Sequence, residues 1–167
     1  MQLHFKRGHD LIFIDKPRGF STHATDPDKP GIVEFYETAL KQKLYVVHRL
    51  DKTTSGAMIF ATSAERAQEL TENFKQRKIK KKYLFLTDKV SSNDRFQVSS
   101  VIEKTGKVSI SHSLNSTEAN AFTDFQRIKR SPFFELWQAT PTTGKTHQIR
   151  HPYSRLYVLD GLSGKKP

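Results

Sequence analysis

The chain has 167 residues, 35% of them hydrophobic, with twelve Phe, five Tyr and one Trp. That is enough to bury one sizeable core, and the length predicts a single domain. The absence of cysteine excludes disulfides, zinc–thiolate sites and cysteine nucleophiles. Lys plus Arg exceed Asp plus Glu by 28 to 17, a formal charge of +11, so a polyanion is the expected partner, with a basic but non-binding surface as the alternative.

The first residues, Met1 to Arg7, carry no apolar core followed by a small-residue cleavage site, and no apolar run reaches membrane-spanning length. A soluble, unprocessed, cytoplasmic protein is expected. Leu11-Ile12-Phe13-Ile14 is a short apolar run stopped by Asp15-Lys16-Pro17-Arg18-Gly19, which predicts a buried strand running into a turn flanked by Lys16 and Arg18. Asp26-Pro27-Asp28-Lys29-Pro30-Gly31 is incompatible with regular structure and reads as a solvent loop or flexible flap. Ile32, Phe35, Tyr36, Ala39 and Leu40 recur at helical spacing and predict an amphipathic helix.

Tyr45-Val46-Val47 then predicts a strand that delivers His48-Arg49-Leu50-Asp51-Lys52-Thr53-Thr54-Ser55-Gly56, followed by a second apolar run, Ala57 to Ala61. Charges gathered at the end of a buried strand have the layout of a site; the alternative is an ordinary surface pair of Arg49 and Asp51. Thr62 with Glu65 has the capping-box form, and Ala67, Leu70 and Phe74 give one apolar face to a second helix ending near Arg77.

Lys75 to Lys82 is the most basic segment, and it passes directly into the strand-like Tyr83 to Thr87. Basic runs are often only solvated faces, but Lys and Arg beside an aromatic ring also meet the needs of a nucleic-acid site, cations for phosphates and a ring for a base. Beyond Asp88, period-two alternation in Phe96–Val98, Val108–His112, Ala121–Phe125 and Phe133–Ala139 predicts antiparallel strands with one solvated face. The fold class is therefore α+β, with a mixed, mainly antiparallel sheet and a few flanking helices.

Gly144-Lys145-Thr146 is not a phosphate loop, because the glycine required five positions earlier is Ala139. His147 and His151 are four apart, but Pro152 limits any helix there and no Glu follows His147, so no metal is expected.

Taken together, His48 to Gly56 resembles the signature segment of the RluA-like pseudouridine synthases. Lys16-Pro17-Arg18-Gly19, the Lys82-Tyr83 strand start and Thr143 to Arg150 resemble that family's other motifs in the same order. The resemblance implies the pseudouridine synthase catalytic fold and conversion of specific uridines in structured RNA, a stem-loop of tRNA or rRNA, to pseudouridine without cofactor or metal. It also implies Asp51 as catalytic aspartate, Arg150 as its basic partner, Tyr83 against the base, and Arg49 filling the gap left by the flipped nucleotide.

An anionic Asp51 in a site closed by RNA needs a cation to offset desolvation, which a guanidinium supplies. Extruding a stacked base costs about a few kcal/mol, offset by side chains that fill the vacancy and receive the base. Lys16, Arg18, Lys78, Lys80, Lys81 and Lys82 are expected to contact phosphates, and His48 to orient the loop. Tyr83 has an alternative as an ordinary strand aromatic.

Relatives commonly continue past the His-Gln-Ile/Leu-Arg motif through a helix-like segment and a Gly-Asp turn, whereas Arg150 is followed at once by His151-Pro152. Residues 1–167 are thus expected as one catalytic domain, incomplete or shortened after Arg150, monomeric, and without a preceding S4-type RNA-binding domain. Two rivals stay open: a non-catalytic RNA-binding or chaperone protein on the same fold, and a metal-dependent nucleic-acid hydrolase using Asp51.

Overall fold

The computed structural model describes residues 5–25, 28–88, 90–105, 107–111, 118–145, 147–149 and 157–158. The chain divides into two compact units, Met1–Lys78 and Ile79–Pro167, so the boundary falls inside the basic run. Among the described residues no helix is long and apolar enough to cross a membrane.

In the first unit, strands β1 (Phe5–Gly8) and β2 (Leu11–Lys16) are followed by helix α1 (Ile32–Leu40), β3 (Tyr45–Val46), β4 (Gly56–Ala61) and α2 (Ala64–Lys75). The strands form an antiparallel sheet in the order β1-β2-β4-β3. The predicted buried strand at Leu11 is buried on one face only: Ile12, Ile14 and Lys16 point inward and Phe13 outward, since strand side chains alternate. Ile12, Ile14, Met58 and Phe60 pack with Ile32, Val33, Tyr36 and Leu44 to make this unit's core.

Helix α1 begins after Gly31, where no side chain fits: a Cβ would stand 2.3 Å from the carbonyl carbon of His23. Helix α2 departs from the expected cap by one residue. Ser63, not Thr62, is the N-cap, and its hydroxyl accepts from the Arg66 N–H at 3.2 Å. The helix closes with Arg77 N–H on Phe74 O and Lys78 N–H on Asn73 O, a Schellman end whose left-handed position is held by Arg77 at φ 57°.

The second unit holds β5 (Tyr83–Thr87), β6 (Arg95–Thr105), β7 (Lys107–Ser111), β8 (Ala121–Arg130), β9 (Glu135–Pro141) and β10 (Tyr157–Val158). They form an antiparallel sheet in the order β10-β5-β9-β8-β6-β7. The α+β class is as expected, with every described pairing antiparallel and two sheets in place of one. Phe85, Phe125, Trp137 and Ala139 form this unit's core, with Tyr83, Phe96, Val98 and Ile149 against it. Phe96 stacks on Phe125 at a centroid distance of 4.9 Å.

Strand β9 starts two residues later than the alternating run Phe133–Ala139 suggests. Pro132 has no N–H to give a ladder, and Ser131 Oγ takes the N–H groups of Phe133 and Phe134, so both phenylalanines belong to the turn. The strand's inward face also carries an acid. Glu135 is buried beside Trp137, whose indole N–H donates to it at 2.9 Å, and Arg127 and Arg130 pair with it at 3.1 and 2.6 Å. A bulge between Arg127 and Lys129 makes this possible by turning both arginines to one face. Burial raises the Glu135 pKa, but the bonds from Trp137, Arg130 and the Ser91 N–H, with the Arg127 charge, outweigh it and hold the carboxyl below its usual value.

Candidate active site

The segment carrying Asp51 exists because β3 is short. After Val46 the chain leaves the sheet, and the Ile59 N–H on β4, which a continuing strand would bond, donates instead to His48 Nε2 at 3.0 Å. An accepting Nε2 carries no proton in this arrangement, so the ring is a brace and not a proton donor at that nitrogen. The imidazole also lies on Phe74 of α2 at a centroid distance of 5.0 Å. His48 therefore orients the loop, as expected from sequence.

The loop's far side is held through its own backbone. Thr54 N–H donates to Asp51 O at 3.0 Å, closing a turn over Asp51–Thr54. Gly19 N–H donates to Lys52 O at 2.8 Å, and the Thr22 hydroxyl to Leu50 O at 3.3 Å. Gly19 at φ 90° and Gly56 at φ 116° take backbone conformations that side chains disfavour, which is why glycine ends both motifs. Two segments thirty residues apart in sequence are thus one structure, with Lys16 directly opposite Gly56 in the β2–β4 register.

The loop's turn and its ties to the Gly19–Thr22 segment thus run through the carbonyls of Leu50, Asp51 and Lys52. Arg49, Lys52 and Thr53 are exposed, Asp51 is half-buried, and Leu50 packs on the core. Arg18 is exposed on its turn. Lys16 departs from the expected phosphate contact: it is fully buried, and its ammonium donates to the carbonyls of Phe20 at 2.9 Å and Pro17 at 3.1 Å. A cation so enclosed offers nothing to a phosphate at the surface; it shapes the Pro17–Phe20 turn instead.

In the second unit, Tyr83 opens β5 opposite Ala139, half-buried against the core. The turn after β9 reaches the same end of the sheet. Its organiser is Gln148, which sequence reading took only as part of a motif. The buried Gln148 carboxamide donates to Phe122 O and Thr123 Oγ1, both at 2.8 Å, and accepts from Thr143 Oγ1 at 2.8 Å and Lys145 N–H at 3.0 Å. All four hydrogen-bonding capacities of one amide are used. Ile149 packs into the core, and His147, at φ 57°, turns the chain just before Gln148. Arg150 lies outside the described residues.

Of the basic run, Lys78, Lys80 and Lys82 are exposed. Lys81 is half-buried and donates to Thr143 O at 3.1 Å, tying the start of β5 to the turn, and burial pushes its pKa down. Lys81 is thus occupied with the protein's own backbone. Among the described residues no three His, Asp or Glu side chains gather as a metal site.

Comparison with known proteins bears directly on these segments. The RNA pseudouridylate synthase family model matches residues 10–154. The chain is 35% identical over 161 residues to an uncharacterized RNA pseudouridine synthase of Haemophilus influenzae, covering 93% of this chain and 70% of that one. It is 31% identical to a ribosomal large subunit pseudouridine synthase C of Buchnera aphidicola, covering 84% of this chain but only 46% of the relative. Among solved structures, human RNA pseudouridylate synthase domain containing 4 matches with a TM-score of 0.71 at 25% identity, over 93% of this chain and 66% of that one.

Proposed function

Because the chain belongs to the RNA pseudouridylate synthase family, we propose that it isomerises specific uridines of a structured tRNA or rRNA, with Asp51 as the catalytic aspartate. The observation that carries this reading is the joining of the Pro17–Thr22 and His48–Thr54 segments, in which Gly19 N–H and the Thr22 hydroxyl bond the carbonyls of Lys52 and Leu50 on either side of Asp51. In the reaction the N1–C1′ bond breaks, the base turns over, and a C5–C1′ bond forms. The proton lost from C5 is matched by one gained at N1, so the balance calls for no cofactor.

Asp51 acts on the ribose or base as an anion, and Arg150 is the cation assigned to keep it ionised as RNA closes over the site. Arg49, exposed beside Asp51, occupies the gap left by the flipped nucleotide, and Tyr83 lies against the base. Arg18, Lys78, Lys80 and Lys82 meet the phosphates. The same reading has the protein acting as a cytoplasmic monomer, which sedimentation at the mass of one chain would support.

The test incubates tRNA and rRNA with wild type and with Asp51→Ala, then maps pseudouridine by base-specific chemical labelling, since the isomer has unchanged mass. Modification by wild type alone is expected. Equal signals from both proteins, or none from either, would overturn the proposal, and metal-dependent strand cleavage would identify a hydrolase instead.

A further inference from the structure

The turn at the other end of the β8–β9 hairpin from Gln148 has features that the site above does not use. Ser131 N–H donates to Phe134 O at 2.9 Å; the Ser131 hydroxyl donates to the same carbonyl at 3.0 Å and accepts the N–H groups of Phe133 and Phe134 at 3.3 and 3.1 Å. With Pro132 fixing the intervening φ, the turn is tightly built. It presents Phe133 at 85% exposure, with Phe134 and the bulge residue Ile128 partly exposed beside it.

The base of the tip is equally well fixed. Arg127 and Arg130 converge on the buried Glu135, Arg127 also pairs with Asp94, and both arginines bond the carbonyl of Ser91, tying in the β5–β6 connection. Those two acids answer the two arginines. Lys129 at the bulge and Arg95 of β6, opposite Gln126, add exposed cations. One exposed ring is ordinary, but three exposed apolar side chains at one hairpin end, Phe133, Phe134 and Ile128, are the kind of grouping that marks an interaction site. A ring beside cations, in a chain of charge +11, matches an unpaired base flanked by phosphates.

We propose that the Ser131–Phe134 tip is a second RNA contact, with Phe133 stacking on an unpaired nucleotide and Lys129 meeting a neighbouring phosphate. The inference rests on RNA being the substrate, and extends the footprint within this unit. Strand β9 spans seven residues, so the tip stands on the order of 20 Å from the Thr142–Gln148 turn. The contact selects RNA by structure outside the reacting uridine, favouring targets with a second unpaired position.

The test uses fluorescein-labelled oligouridylate and a stem-loop with a uridine loop, titrated against wild type, Phe133→Ala, Phe133→Trp and, as an exposed-aromatic control, Phe13→Ala. Phe133→Ala should bind about 5- to 150-fold more weakly, the range for losing one stacked base. Phe133→Trp should retain affinity and show tryptophan quenching on RNA addition, against a buried Trp137 that stays unquenched. Lys129→Ala should reduce the slope of log affinity against log salt by about one. Phe13→Ala should bind as wild type.

Unchanged binding by Phe133→Ala, or no quenching in Phe133→Trp, while wild type binds RNA, overturns the tip contact and leaves the proposed activity standing. Wild type that binds no RNA overturns both. Self-association of wild type that Phe133→Ala abolishes overturns the contact in favour of a protein interface.

Discussion

The Asp51 loop and the Gln148 turn present family motifs by opposite means. The first is held mostly through its own carbonyls, at Leu50, Asp51 and Lys52, with His48 bracing its start. The second is held through one buried side chain that makes four hydrogen bonds. Backbone anchoring leaves the side chains of a loop available for chemistry, and tolerates their replacement. Side-chain anchoring spends a residue on geometry, and makes the whole turn depend on it. The contrast predicts different mutational behaviour on the two sides of the chain.

Asp51→Ala is the sharpest case. It should abolish pseudouridine formation while leaving the thermal unfolding midpoint near that of wild type, because the turn is closed through the Asp51 carbonyl, which alanine retains. A large loss of stability would break the contrast, since it would show the carboxylate to be part of the scaffold.

Next in size is Glu135→Ala, which leaves Arg127 and Arg130 facing an emptied, buried position and should cost about 3–5 kcal/mol in denaturant unfolding. The same group sets a pH dependence. Its folded pKa lies below the ordinary 4.5, so its contribution is fully present above about that pH and is lost as pH falls through the depressed value. Glu135→Gln should flatten the acid limb of stability against pH relative to wild type.

Gln148→Leu should destabilise by about 2–4 kcal/mol, the sum of several modest hydrogen bonds plus the N–H of Lys145 left without its acceptor. It should also lower turnover through displacement of the turn, measurable under conditions where the variant remains folded. A variant as active as wild type would show that the Thr143–Gln148 geometry is irrelevant to the reaction.

In the backbone-held loop the sensitive positions are glycines. Gly56→Ala should cost about 1–3 kcal/mol, because φ 116° is strained for any side chain although nothing crowds a Cβ there. Smallest is Arg77→Gly at the end of α2, which should stabilise by about 1 kcal/mol by relieving a left-handed non-glycine residue. Both are read by urea unfolding.

Local pattern made much of this legible. Alternation located most strands, helical spacing located both helices, and ordered motifs pointed to the family. Errors arose where a side chain competed with the backbone. Ser131 captured two N–H groups and moved Phe133 and Phe134 from strand to turn, and Ser63 took the cap from Thr62. The alternating pattern at Phe133–Ala139 also gave no sign that Glu135 faces the core, because its partners Arg127 and Arg130 lie on another strand and reach it through a bulge.

The sequence by itself determined the α+β class, the basic character, the family and the position of Asp51, because these depend on residue type, local period and motif order. Only the tertiary structure decided that Lys16 is buried, that Gly19 and Thr22 hold the Asp51 loop, that Gln148 organises its turn and that Phe133 stands exposed. The Asp51 loop and the Gln148 turn depend on which groups from distant segments meet, and the burial of Lys16 on which face of β2 the core covers. A glutamine has the same local signature whether its amide reaches water or, as at Gln148, the carbonyl of Phe122 on another strand.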